Sequence, residues 1–205
     1  MIDKLIAQTA HISRGAAWIG GAAMLAAALI VTFEVLARKF FNWSMAGADE
    51  LSGYIFAVAT SWSFAYAMLQ RANVRIDGIY LLASTPLRAV MDIVALLALG
   101  LYVAAMLHSG WILWLDNYSY DSRSITSWRT PLAIPQGFWL AGWAWLGVAL
   151  ALVLARCLQA VAGGRLADVV TVAGVRTMAE EVADEVAHAE VEVAHERKLH
   201  GPGER

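Results

Sequence analysis

The chain is short of charge and of cysteine. Only 16% of its 205 residues are Asp, Glu, Lys or Arg, against about a quarter in an ordinary soluble domain. The shortage is uneven, because the charges gather between long apolar runs, and that distribution marks membrane helices rather than a greasy soluble core. A single cysteine, Cys157, excludes an intramolecular disulfide and any site built from several thiolates. With a net charge of −2, nothing suggests nucleic acid as a partner. There is no phosphate-binding glycine loop, no catalytic triad and no membrane-embedded protease motif, so no enzyme class and no cofactor is indicated. Histidine is also scarce where it would matter. A membrane haem needs two at matching depth on facing helices, but His108 stands alone among the apolar runs, with His11 before them and His188, His195 and His200 in the tail. The tail histidines follow no compact metal-ligand spacing.

What is abundant is apolar residue and tryptophan: 60% hydrophobic residues, nine Trp and a mean hydropathy of +0.57. Four apolar stretches cover residues 15–37, 51–69, 89–115 and 134–155. Each is close to the roughly 20 helical residues that cross about 30 Å of hydrocarbon. The first run is too long for the apolar part of a cleavable signal and no polar cleavage segment follows it, so it reads as a retained helix. The expected fold is therefore an all-α integral membrane bundle of four transmembrane helices with interfacial segments and a helical tail. Its divisions are an N-terminal segment 1–14, a membrane domain 15–160 and an acidic tail 161–205, helical in part and disordered at its end. Four crossings put both termini on one side. Seven cations (Lys4, Arg14, Arg71, Arg75, Arg88, Arg156 and Arg165) then flank the helices on that side, against Arg38, Lys39, Arg123 and Arg129 on the other, so the termini are expected in the cytoplasm.

The connections carry local signals. Asp49 is a candidate cap for helix 2 and Glu50 suits its first turn, where the helix dipole favours negative charge. Pro86 sits where a proline can open helix 3. The long third connection holds Tyr118, Tyr120, Trp128, Pro131 and Pro135 and is expected to fold back. In the tail, Val182, Val186, Ala189 and Val193 make a thin apolar helical stripe.

Ionisable residues at membrane depth are functional candidates. Glu34 and Arg38, four apart, read as an ion pair fixing helix 1; a proton-coupling carboxylate is the sharper alternative. Asp92, near the start of helix 3, is expected to face headgroup water. On helix 2, Gly53, Ala57, Ser61 and Ala65 fall every fourth residue, a small-residue face for close helix approach in lipid. Gly147, Ala151 and Ala155 repeat it on helix 4. The partner of such a face lies either within the chain or in another protein.

The connecting segments also resemble a known family. Glu34-Val35-Leu36-Ala37-Arg38-Lys39-Phe40-Phe41-Asn42 followed by Ala48-Asp49-Glu50-Leu51 is similar to the small permease subunit, DctQ-like, of tripartite ATP-independent periplasmic (TRAP) transporters. Arg71-Ala72-Asn73-Val74-Arg75-Ile76-Asp77 resembles the family's Gly-His-Val-Arg-Val-Asp-like turn, with Ala72 and Asn73 departing from its glycine and histidine. Pro131-Leu132-Ala133-Ile134-Pro135-Gln136-Gly137 resembles its Ile-Pro-x-Gly start of helix 4. The resemblance covers roughly residues 15–160 and is silent on the tail. It implies a bacterial inner-membrane complex in which a periplasmic binding protein delivers an organic acid. A large elevator-type subunit moves that acid with a sodium gradient, and the small subunit braces the large one. The residues expected to matter as anchors are Arg38, Glu50, Arg75 and Asp77. Two other readings compete: a self-sufficient small proton-coupled exporter using Glu34, and a membrane anchor subunit of a redox complex.

Overall fold

The computed structural model describes residues 2–72, 80, 82–174 and, in the tail, 182, 183, 186, 189, 190 and 193. These are helical apart from turns and one isolated bridge between Arg123 and Pro131. The helices are α1 (Ile2–Phe41), α2 (Ala48–Leu69), α3 (Thr85–Ser119), α4 (Ala133–Ala162) and α5 (Leu166–Ala173). Pro86 lies in the first turn of α3 as anticipated. Asp49 does not cap α2: the N-cap is Gly47, and Asp49 and Glu50 both fall inside the first turn, where they still meet the positive end of the dipole.

Among the described residues, α1, α3 and α4 are long and apolar enough to cross a membrane. At 22 residues, α2 has the length, but Ser52, Thr60, Ser61, Ser63, Tyr54 and Tyr66 dilute its apolar character and it is not among the three. The expectation of four spans is thus met in three helices by composition. Helix α1 is also longer than its apolar run. Its 40 residues span about 60 Å, and the N-terminal segment 1–14 joins it without a break from Ile2 onward.

Helix α4 is the centre of the packing. It lies against α2 on one side and α3 on the other, α1 packs on α2 and touches α4, and α5 closes over α3 and α4. The shared core contains Ala65, Met68, Leu96, Val103, Trp143, Leu146, Leu150, Val153 and Cys157. Small residues set the closest approaches, as expected where lipid supplies no hydrophobic push between helices. A Cβ on Gly142 of α4 would lie 2.9 Å from the backbone carbonyl carbon of Ser61, and one on Gly20 of α1 would lie 3.2 Å from Cα of Ala59. The small-residue face of α2 therefore divides. Ser61 and Ala65 are buried within the chain, Ala57 is half-buried, and Gly53 is exposed with open space above it. On α4 the close contact is made by Gly142 rather than by the stripe of Gly147, Ala151 and Ala155, of which Ala151 is exposed.

Indole nitrogens tie the helices where few other donors exist. Trp145 donates to Ser13 Oγ at 2.9 Å, Trp62 to the Phe138 carbonyl at 3.0 Å, and Trp114 to the Ala133 carbonyl at 2.9 Å. Near the N-terminal end of α1, Asp3 accepts from Arg156 of α4 at 2.8 Å. The tail residues Val182, Val186, Ala189 and Val193 fall in helical backbone, and all four are exposed.

Candidate functional site

Polar side chains converge at the two ends of the bundle. At one end, where α1 leaves for α2, the Glu34 side chain is 2% exposed. Its Oε1 accepts from Arg38 Nη2 at 2.8 Å and from Ser44 Oγ at 2.6 Å, and its Oε2 accepts from the Met45 backbone N–H at 2.7 Å. The i, i+4 spacing on α1 supplies the arginine, and the loop after Phe41 folds back to supply the rest. That return requires left-handed backbone at Asn42 (φ 54°) and Ala46 (φ 45°); asparagine adopts it readily, whereas alanine does so at a cost. Both carboxylate oxygens are thus engaged in holding the α1–α2 connection.

Glu50 makes the second junction, in the first turn of α2 and just outside the apolar run 51–69. Its Oε1 accepts from Tyr54 Oη at 2.7 Å; its Oε2 accepts from Ser124 Oγ at 2.7 Å and from Thr126 Oγ1. The α3–α4 connection reaches it as a folded loop, with Ser124 N–H donating to Thr130 O and Leu132 N–H to Ser122 O, both at 3.0 Å. Hydrogen bonds from Thr126, Ser124 and Tyr54 hold the Glu50 carboxyl at about 2, well below the usual carboxylate range and against partial burial, which pushes it up. Trp128 from the same loop packs on Gly47, so the loop and the start of α2 are locked together twice.

At the opposite end, Asp92 of α3 is buried to 1% rather than facing headgroup water. Tyr80 Oη donates to its Oδ2 at 2.8 Å, and Arg88 stacks over the Tyr80 ring at 5.5 Å. The chain passes Tyr80 as it leaves α5, since a Cβ on Gly174 would lie 2.7 Å from that hydroxyl. Val169 and Ala173 of α5 are buried beside this cluster.

Of the residues singled out in the sequence, Arg38 joins Glu34, while Glu50 serves a separate junction. Arg75 and Asp77 lie outside the described residues. The partners Ser44, Ser124 and Thr126 and the Tyr80–Asp92 pair were not anticipated. A serine or threonine in a polar loop carries no signal of which carboxylate it will meet, and Ser124 and Glu50 are 74 positions apart.

A groove of about 510 Å³ between α1, α2 and α4 is lined by residues such as Gly20, Tyr54, Ala59, Trp62, Pro135 and Phe138, with no cation in its wall to meet a carboxylate. A second hollow, within the α3–α4 loop, does carry cations, being lined by Arg123, Ser124, Thr126 and Arg129. The described residues hold no group of three His, Cys, Asp or Glu side chains that would bind a metal ion. The arrangement clamps loops to helix ends.

Comparison with curated proteins gives no match. A family model does match, over residues 27–162: the DctQ component of tripartite ATP-independent periplasmic transporters.

Proposed function

The chain belongs to the DctQ family, the small permease component of tripartite ATP-independent periplasmic transporters, and from that membership we propose that it braces the large membrane subunit while that subunit moves the substrate. The family works with a large permease subunit and a periplasmic binding protein. For this chain we take both as partners, the binding protein through the assembled complex. The cargo in this reading is an organic acid, driven inward by a sodium gradient. The chain sits in the bacterial inner membrane with α2 as a fourth span and both termini cytoplasmic. Arg38 and Glu50 then anchor the periplasmic end, and Arg75 and Asp77 are assigned to the cytoplasmic turn.

One observation supports bracing above the alternatives. Both oxygens of Glu34, and both of Glu50, are occupied by hydrogen bonds that fix loops to helix ends. A proton-coupling carboxylate has to change partners during a cycle, whereas an anchoring one has to keep them. An elevator needs a wall that stays still while its neighbour slides, and a bundle with clamped connections suits that role.

Reconstitution tests it. In proteoliposomes the chain alone should move no organic acid, and uptake should appear when the large subunit and binding protein of the same transporter are added. Transport by the chain alone, abolished by Glu34→Gln, would establish the exporter instead.

A further inference from the structure

The exposed faces of the long helices differ in one respect. On α1 the outward ridge is Leu25, Leu29, Phe33 and Leu36, all apolar. On α3 the outward ridge runs Leu101, Ala105, His108 and Ile112, at spacings of four, three and four, with Ser109 beside it and Asp116 two turns beyond Ser109. All six are exposed. Among the described residues, the side chains of His108, Ser109 and Asp116 have no hydrogen-bond or ion-pair partner.

Depth makes this informative. His108 stands six residues, about 9 Å along the axis, from the middle of the apolar run 89–115, inside the half-thickness of about 15 Å of hydrocarbon. Acyl chains can neither donate to nor accept from an imidazole, so an outward histidine at that level calls for a hydrogen-bonding group from another protein. Ala105 lowers the surface between Leu101 and Ile112, which lets a second backbone come close enough to supply one. Asp116, at the end of the same face, adds a charge preference.

We infer that this face of α3 receives a transmembrane helix of the transporter's large subunit, one that carries a hydrogen-bonding side chain opposite His108 and Ser109 and a cation opposite Asp116. The inference rests on the bracing role proposed above and gives it a location. The apolar ridge of α1 is left to lipid.

The test uses the assembled transporter with a tag on this chain. A benzophenone amino acid at Ile112 should crosslink to the large subunit on illumination, whereas the same group at Leu29 of α1 should not. His108→Leu should lower the large subunit recovered with the tagged chain about tenfold, the size of an interhelical hydrogen bond in lipid, and Ala105→Trp should lower it at least as far. Both variants, being at exposed positions, should unfold at the wild-type temperature when purified alone, which separates lost docking from lost fold. Crosslinking at Ile112 to lipid or to a second copy of this chain, with full recovery of the large subunit by both variants, would overturn the inference while leaving the bracing role intact. Failure of the wild-type chain to recover any large subunit would instead remove the bracing role and this face with it.

Discussion

Trp128 in the α3–α4 loop packs so closely on Gly47, at the start of α2, that a Cβ there would lie 2.8 Å from its Cε2. With Gly47 as the N-cap and Glu50 in the following turn, backbone and side chain hold the same loop within four residues of each other. Gly47→Ala should therefore displace the indole and loosen the loop, costing about 1–3 kcal/mol as overpacking does. Thermal unfolding in detergent measures the loss, and an unchanged midpoint would mean that Trp128 moves aside freely.

The Glu50 junction predicts a pH dependence. Its folded pKa of about 2 lies below the ordinary 4.5, so the folded state favours the ionised form. The resulting stability is fully present above pH 4.5 and fades as the pH falls toward 2. Glu50→Gln should lower stability at pH 7 and flatten this particular acid-side decline. Thr126→Val should act through the same contact, so the double variant should lose less than the sum of the two single losses.

The approach of α2 and α4 offers a sharper packing test. Gly142→Ala should cost about 1–3 kcal/mol, and adding Ser61→Ala should not restore it, since the backbone carbonyl carbon of Ser61 already stands 2.9 Å from the new Cβ. Gly53→Ala, with nothing within 4 Å, is the control. It should be neutral or stabilising by up to about 1 kcal/mol, as replacing glycine by alanine in a helix generally is. Differential scanning fluorimetry of the purified chain is sufficient.

Helix α5 is held by its apolar side, with Val169 fully buried. Val169→Asp would place a carboxylate in that contact and should release the helix. The expected result is faster protease cleavage around residues 166–174, with the helicity of the membrane bundle unchanged by circular dichroism. Equal protection of variant and wild type would show that α5 is held by something other than this contact.

The i, i+4 relation of Glu34 and Arg38 was legible because both lie on one helix, where spacing alone sets neighbourhood. Pro86 at the start of α3 was legible for a similar local reason. Asp49 shows the limit even of local reading: a plausible cap residue became part of the first turn once Gly47 took the cap position. Asp92 is buried rather than facing headgroup water because Tyr80, twelve residues away, reaches its carboxylate, a relation that its place near a helix start does not show.

The sequence by itself determined that this is a helical membrane protein. Apolar runs of bilayer length, broken by charged connections, leave the backbone no other way to satisfy its hydrogen bonds in hydrocarbon. It also carried the motifs of its family. Only the tertiary structure decided which carboxylate closes which loop, that Ser61 and Ala65 pack inside the chain while Gly53 stays open, and that His108 faces outward with no partner among the described residues. These relations join residues far apart in the chain, and they depend on how whole helices rotate and tilt against one another, which the local pattern of residues does not encode.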